Sequence, residues 1–486
     1  MIAPFLGIIL SLALLITLAY RGHSVIIAAP ISAAVAVTFS ASPELASASL
    51  TLATYTQIFM PALGRFLISF FPLFLAGAIF GKLMTLSGYA DDLAHSITSL
   101  LGVKRTIAST ILVTALLSYG GISAWVIAFT MYPIAVALFR EAGIPKRLMP
   151  AAMAVGIFTF PLGALPGSPQ VHNAIPTRYF DTTTYAAPVL GLIATVVMFF
   201  TALMWLTWRK NRMLARGDDF ETTRDPEGRR KAEVIAAPGE DVDDLSDIRR
   251  TRSRSPAVLG IVGLMPILIV ALVNVLFVFV LPKIADFGYL ADEQYGATTF
   301  QHVVGVWSVI AALTAGCVAI FAMQPKNAKA YVTGLSEGAQ NAVLPALSTA
   351  SEVGYGSIIT SLAVFKVVET GLFHISSNPL VVAATAVGGI SGITGSASGG
   401  LTITMEKFGP QLKQLALDQG ISLDLMHRVS SMASVSFDSL PHNGAIITLL
   451  MVCGLTHRDS YGDIGVVTII VPIIGLLLVL GLGAFV

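Results

Sequence analysis

The uneven distribution of charge limits this chain more than any other feature of its sequence. Residues 209–254 contain 12 of the 29 Lys and Arg residues and 11 of the 28 Asp and Glu residues. Overall 12% of the residues are charged and 55% are hydrophobic, whereas a soluble domain carries about 25% charged residues. The flanks of 209–254 therefore cannot cover a surface in water. This excludes a soluble enzyme, a disordered chain and a nucleic-acid binder, which needs a basic face.

Long apolar runs on both sides of the charged segment predict an all-α polytopic membrane protein, because helices satisfy their own backbone in lipid. A span needs about 20 apolar residues. No Lys or Arg precedes the first run, 2–20, so we interpret it as a retained helix and not as a cleaved signal peptide. The predicted organisation is a first repeat at 1–208, a cytoplasmic charged linker at 209–255 and a second repeat at 256–486.

Short motifs recur in the same order in both halves. Gly143-Ile144 with Leu148-Met149 returns as Gly420-Ile421 with Leu425-Met426. The stretch 118–123 (SYGGIS) resembles 397–402 (ASGGLT), and 169–175 (PQVHNAI) resembles 441–446 (PHNGAI). Chance similarity in an apolar composition is the alternative to a repeat.

Basic residues at the edges of the linker favour a cytoplasmic location for it. Each half then needs five crossings, so the repeats are inverted and both termini lie outside the cell. Inverted repeats with interrupted helices are typical of transporters whose substrate binds near the midplane. The predicted crossings are 2–20, 24–40, 66–85, 148–178 and 187–208, then 257–281, 302–323, 342–363, 429–456 and 463–485.

Segments 105–139 and 379–405 predict two re-entrant helical hairpins with polar tips inside the membrane. Each arm of the first has only about 13 to 16 residues, short of a full span. A pair of short spans joined by a surface turn is the alternative. Helix N-termini and small residues at such tips favour anion binding. The predicted substrate contacts at the tips are Ser118, Tyr119, Gly120, Gly121, Ser123, Thr394, Gly395, Ser396, Ser398, Gly399, Gly400 and Thr402.

Two further crossings contain a break. Prolines and a glycine interrupt 148–178 near residues 166–169, and Pro441 does the same in 429–456. Polar side chains at the breaks predict further substrate contacts: Ser168, Gln170, His172, Asn173, His442 and Asn443. No Lys or Arg lies within the four polar interruptions, so a bound anion would be met by helix N-terminal amides, hydroxyls or the two histidines.

Glu352 and Asp438 are the acidic residues with the longest apolar flanks. A carboxylate in hydrocarbon is costly unless it is protonated, paired or hydrated, and such residues mark ion or proton paths. We interpret Asp438 first and Glu352 second as proton-coupling groups. A purely structural role, with a protonated carboxyl bonded to a neighbouring hydroxyl, is the alternative.

Catalytic and metal motifs are absent from the sequence. There is no GxxxxGK[ST] loop, CxxC or HExxH pattern, so we expect no enzyme activity, no catalytic residue, no cofactor and no metal site. The rival function is an intramembrane enzyme or sensor, with Ser439 near His442 as a nucleophile and base.

At these segments the sequence resembles the gluconate:proton symporter (GntP) family of the ion transporter superfamily. The resemblance rests on residues 117–150, 165–176, 348–358, 393–400 and 436–450, and it is closer to D-3-hydroxybutyrate permeases than to gluconate permeases. The run Leu440-Pro441-His442-Asn443 departs from the gluconate branch, which counts against gluconate itself.

The resemblance implies proton-coupled symport of a small hydroxylated monocarboxylate across the bacterial cytoplasmic (inner) membrane. It also implies a homodimer with a static scaffold and a moving transport domain, the elevator arrangement. The partners are then a small organic anion, a proton and the lipid bilayer, with no nucleic acid. Sodium coupling through the Ser, Thr and Asn residues of the tips is the alternative.

Overall fold

The computed structural model describes residues 2–21, 23–40, 48–220, 255–441 and 443–483. These parts contain helices and no strand, which confirms an all-α polytopic protein. Most of the predicted linker and His442 lie outside the described residues.

The described part of the first half contains twelve α-helices. They are α1 Ile2–Tyr20, α2 Val25–Ser40, α3 Ala48–Thr54, α4 Met60–Leu86, α5 Tyr89–Leu101, α6 Thr106–Tyr119, α7 Ala124–Glu141, α8 Met149–Phe158, α9 Phe160–Gly163, α10 Val171–Ala174, α11 Thr177–Phe180 and α12 Pro188–Leu214. A π-helical turn, Tyr55–Phe59, joins α3 to α4.

Eleven α-helices follow in the second half, over residues 255–441 and 443–483. They are α13 Pro256–Val275, α14 Leu281–Ile284, α15 Phe300–Met323, α16 Ala328–Ser361, α17 Phe365–Ile375, α18 Pro379–Thr394, α19 Ala397–Asp418, α20 Leu423–Phe437, α21 Gly444–Val452, α22 His457–Gly465 and α23 Val471–Gly483.

The order of elements repeats between the halves. Each half has two apolar helices, a long helix with an internal proline, and a shorter helix, α5 or α17. Helix α5 meets the segment after it at a steep angle, whereas α17 meets the segment before it. Two arms joined by a tip, an interrupted helix and a final apolar helix follow. The sequence predicted neither α5 nor α17, because both are short and carry polar residues.

Gly143 and Gly420 show the correspondence at atomic detail. Both adopt a left-handed backbone, with φ of 61° and 68°, and each ends the second arm of its hairpin. The amide of Ile144 bonds to the carbonyl of Phe139, five residues back, and Ile421 bonds to Ala416 in the same way. These are paired Schellman caps, which glycine favours. The matching sequence motif therefore reflects a matching local fold.

The long helices α4 and α16 pack against each other through small residues. A Cβ atom on Gly338 would lie 2.8 Å from Cα of Ile79, and one on Gly354 would lie 2.9 Å from the ring of Phe59. Such contacts allow close helix approach where lipid offers no hydrophobic drive. This pair forms the centre of the element group that also includes α2 and α15.

The two hairpins differ in where their backbone breaks. The first tip lies at Gly120–Ser123, as predicted. The second breaks at Gly395 and Ser396, since α19 already begins at Ala397. Gly399 and Gly400 therefore lie in the first turn of a helix and not in the tip, which corrects the predicted alignment with Gly120 and Gly121.

By length and composition, six described helices are apolar enough to cross a membrane, or eight if each bent pair counts as one span. The sharp bends are 106° between α5 and the segment that contains α6, and 91° between the segment of α16 and α17. The predicted breaks at 148–178 and 429–456 are both present. Helix α7 alone is long and apolar enough to cross a membrane. The re-entrant interpretation of 105–139 and its alternative, a pair of short spans, therefore both stay predictions.

The packing of the second hairpin makes a test of this fold. A Cβ on Gly400 would overlap the backbone of Ser391 on the facing arm, whereas Gly389 on that arm has nothing within 4 Å. We expect Gly400→Ala to destabilise the protein by roughly 1–3 kcal/mol through overpacking, and to lower the Tm in detergent. Gly389→Ala is the matched control, and we expect an equal or higher Tm because alanine is the better helix former. Equal melting of both variants would contradict this packing.

Candidate functional site

Two buried carboxylates from different elements converge on the second hairpin tip. Oε2 of Glu352, on α16, and the hydroxyl of Ser396 lie 3.1 and 3.0 Å from the position that a Cβ on Gly399 would take. Asp438 accepts a hydrogen bond from the Ser439 hydroxyl at 3.0 Å, and its carboxylate lies near the Ala397 amide at the start of α19. The two residues are 9% and 5% exposed, and their carboxylates are close enough to interact electrostatically.

The backbone of the tip explains how this site forms. Helix α18 ends at Thr394, and Gly395 takes a left-handed conformation. Ser396 then caps α19, its hydroxyl accepting from the Gly399 amide at 3.1 Å. A Cβ on Gly399 would lie 3.1 Å from Oε2 of Glu352, so the glycine gives the carboxylate room beside the helix N-terminus.

Neither carboxylate forms an ion pair with Lys or Arg in the described part of the chain. Burial and like-charge repulsion both penalise two neighbouring ionised carboxylates. A proton or a small cation bound between them removes that penalty. The site is therefore suited to binding and releasing positive charge.

Asn443 closes the site from the second break. Its Nδ2 donates to the Gly395 carbonyl at 2.9 Å, while its Oδ1 caps α21 by accepting from the amides of Ala445 and Ile446. The side chain thus ties the break to the tip and holds a backbone turn. His442, its predicted neighbour, lies outside the described residues.

The first hairpin tip and the first break are joined in a similar way. Gln170 Nε2 donates to the Ser118 carbonyl at 2.6 Å, and the Tyr119 hydroxyl donates to the Pro166 carbonyl at 3.2 Å. Gly121, with φ of 87°, lies against Pro169. The Ser168 hydroxyl donates to the Pro161 carbonyl at 2.6 Å.

The two helices that follow the tips differ at their N-termini. At α19 the Ser396 hydroxyl accepts a hydrogen bond from the Gly399 amide, and the Asp438 carboxylate lies near the Ala397 amide. At α7 the N-cap residue is Ser123, whose side chain makes no capping hydrogen bond. The positive end of α7 therefore lacks the carboxylate that α19 has.

Asn173 belongs to a buried network that joins the first break to α20. Its Nδ2 donates to the carbonyls of Ser168 and Thr184 at 3.0 and 2.8 Å. Its Oδ1 accepts from Arg428 at 3.1 Å and lies 3.2 Å from Nε2 of His427. All four hydrogen-bonding positions of the amide are thus used within the protein.

Arg428 is the basic residue that sequence reasoning missed at the breaks. It is 0% exposed and donates to the Gly163 carbonyl at 2.7 Å and twice to the Ala186 carbonyl, at 3.1 and 2.7 Å. It was missed because it precedes the second break along the chain and reaches the first break only in three dimensions.

The remaining predicted contacts have varied surroundings. The Thr402 hydroxyl donates to the Ser398 carbonyl of its own helix, and Thr394 bonds to Ile390 likewise. His172 has a buried Nδ1 with no hydrogen-bond partner among the described residues. Asn173 and Asn443, at corresponding positions of the two breaks, are not hydrogen-bonded to each other and have different partners.

A small apolar cluster links the two breaks with the second tip. It consists of Leu162 of α9, Ala397 of α19 and Val435 of α20. Since Gln170 joins the first break to the first tip, the four interrupted segments are connected through these contacts. Tyr185 and Asn274, which no motif indicated, also reach the first break.

One curated relative and two solved structures match this chain over nearly its whole length. No family model matches the chain. The uncharacterized transporter YxjC of Bacillus subtilis (strain 168) is 39% identical over 468 residues, which are 95% of each chain.

Two solved structures align with nearly the whole chain. The YdaH transporter of Alcanivorax borkumensis has a TM-score of 0.51 at 15% identity, over 99% of this chain and 98% of that one. MtrF of Neisseria gonorrhoeae, a structure described as illuminating a class of antimetabolite efflux pumps, has a TM-score of 0.48 at 14% identity, over 97% and 94%. The likeness to YdaH concerns the fold alone.

Full-length identity with YxjC is the finding that decides the family. Together with the apolar helices and the interrupted segments, it shows that this chain belongs to the family of that transporter and is a multi-pass membrane transporter.

Proposed function

We propose that the protein is a secondary active symporter, which carries a small hydroxylated monocarboxylate together with a proton across the bacterial cytoplasmic membrane. D-3-hydroxybutyrate is the representative substrate of this class. The observation that carries the proposal is the pair Glu352 and Asp438, buried at a hairpin tip without a basic partner among the described residues.

Charge balance favours a proton as the coupling ion. A monocarboxylate moving alone carries one charge, which costs about 2.3 kcal/mol per 100 mV of opposing potential. One proton makes the cycle electroneutral. Asp438 is the primary proton-binding group, since its carboxylate lies between the second tip and the second break. Glu352 is the second carboxylate that can take up the proton.

The substrate carboxylate binds at the N-terminus of α7 in this proposal. At α19 the corresponding position is filled by Asp438. Counting back five residues from Asn443 gives Asp438, and the same count from Asn173 gives Ser168, which is neutral. Among the described residues, no side chain accepts a hydrogen bond from the first amides of α7, which leaves them free for the substrate carboxylate.

The two halves act as inverted repeats in this mechanism, and the tips and breaks move together as the transport domain of an elevator. Helix α4 belongs to the scaffold of a homodimer, while α16 packs on it and carries Glu352 to the second tip.

Replacing each coupling carboxylate by an amide tests the proposal. We expect Asp438→Asn to retain exchange of labelled D-3-hydroxybutyrate across proteoliposome membranes, and to lose accumulation driven by a pH gradient, because the amide cannot release a proton. Glu352→Gln should lose accumulation as well. The matched control is Glu337→Gln on the same helix, whose partner Lys82 is 2.9 Å away and whose side chain is 48% exposed. It should accumulate substrate as the wild type does.

Two results would refute this assignment. Accumulation by Asp438→Asn with acid outside would exclude Asp438 as the coupling group. Wild-type accumulation that follows a sodium gradient and ignores pH would instead make the second tip, with its two carboxylates and its hydroxyl, a sodium site.

A second substitution tests where the substrate carboxylate binds. Ser123→Asp places a carboxylate at the N-cap of α7, where it should repel the substrate and reduce its affinity at least tenfold, about 1.4 kcal/mol. Stability should stay near that of the wild type, since Asp and Ser cap helices equally well. Ser255→Asp is the control: Ser255 also lacks a capping bond and has nearly the same backbone angles. Equal affinity of both variants would contradict the proposed position.

A further inference from the structure

The loop around Gly167 in the first break is held by hydrogen bonds from three directions. The Tyr119 hydroxyl donates to the Pro166 carbonyl, and Nδ2 of Asn274 donates to the Gly167 carbonyl at 3.0 Å. The Gly167 amide itself donates to the Thr184 carbonyl at 2.8 Å. Its φ of 73° requires glycine at this position.

Three residues in contact with this loop each have a buried polar atom without a partner in the described part of the chain: Asn274 at Oδ1, Tyr185 at its hydroxyl and Thr184 at its hydroxyl. The first two carry the argument. Asn274 is 0% exposed in the otherwise apolar helix α13. A Cβ on Gly167 would lie 2.6 Å from the Tyr185 hydroxyl. Both atoms therefore lie around one glycine.

Leaving such atoms unsatisfied is expensive. Each costs about 1–3 kcal/mol, and buried polar groups in native proteins almost always find a partner in the protein, in water or in a ligand. Two orphaned atoms at the break of a transporter helix indicate a position that a polar ligand group occupies.

The types of the two atoms restrict that group. Oδ1 of Asn274 can only accept, and one of the two Nδ2 hydrogens is already donated to Gly167, while the Tyr185 hydroxyl can donate or accept. A carboxylate would place negative charge against Oδ1. An alcohol fits, because it donates to Oδ1 and accepts from the tyrosine.

We propose that Asn274 and Tyr185 form a subsite for the hydroxyl group of the substrate, which distinguishes hydroxy acids from the corresponding plain acids. This inference rests on the proposed function and adds the residues that recognise the substrate hydroxyl. Gln170, three residues after Gly167, contacts the first tip at Ser118, so the subsite and the N-terminus of α7 belong to the same interrupted region.

A site built to bond a hydroxyl discriminates strongly against analogues that lack it, by as much as 10⁴–10⁵-fold, because its polar atoms are then left unpaired. A neutral pair shared with water discriminates less. We therefore expect the wild type to prefer D-3-hydroxybutyrate over butyrate by at least 100-fold in kcat/KM for uptake.

Tyr185→Phe tests the subsite, since it removes one oxygen that has no partner in the described protein. The preference for D-3-hydroxybutyrate over butyrate should fall at least tenfold, through slower uptake of the hydroxy acid and unchanged uptake of butyrate. Tyr331→Phe is the matched control: its hydroxyl already donates to Gln324 at 2.6 Å, so its loss should leave the preference unchanged. The Tm of each variant in detergent, and competition by each unlabelled acid for binding, separate folding and binding from transport.

The outcomes distinguish the two proposals. If the wild type prefers the hydroxy acid and Tyr185→Phe keeps the same preference in uptake and in binding, the orphaned atoms hold only water and the subsite is refuted while the symporter stands. If the wild type takes up neither acid under any ion gradient, the proposed substrate class and the subsite are both wrong.

Discussion

A helix interrupted within a membrane frees carbonyl and amide groups that lipid cannot satisfy, and this constraint governs the centre of the molecule. The protein meets it with buried side chains brought from elsewhere in the chain. Arg428 bonds the carbonyls of Gly163 and Ala186, Asn173 bonds those of Ser168 and Thr184, and Asn443 bonds that of Gly395. These hydrogen bonds allow the interrupted backbone to keep one conformation when no solute is bound.

Buried charge is arranged in two separate places around the breaks. Arg428 near the start of α20 has its donors directed at neutral oxygens, whereas Asp438, the first residue after that helix, faces Glu352. Ten residues of helix separate the two charges, about 15 Å along the axis. An ion pair between them would neutralise both, so their separation leaves the carboxylates available for a mobile cation.

Much of this architecture could be predicted from the sequence, because membrane helices follow from apolar length and breaks follow from Pro and Gly. Glu352 and Asp438 were found by the cost of a carboxylate in an apolar run, and the paired glycines 143 and 420 by their repeat. Other features depend on three-dimensional contacts. Arg428 serves a break that lies more than 250 residues away in sequence, and Asn274 is one polar residue in an apolar helix. The error at Gly399 and Gly400 arose because a Gly-Gly pair suits a tip and a close helix crossing equally well, and here Gly400 packs on Ser391.

The most informative differences between the halves lie where their sequences diverge. Matching caps at Gly143 and Gly420, and matching breaks before Asn173 and Asn443, establish comparable local frames. Within those frames one half has Asp438 near the first amide of α19, while the other has Ser168 turned to the Pro161 carbonyl and leaves α7 without a side-chain cap. A protein with carboxylates at both helix ends would have no position for an anionic substrate, and one with none would have no group to bind a proton. In the proposed mechanism only one of the two repeats has a carboxylate at its tip. The same fold can therefore bind a proton at one helix end and the acid at the other.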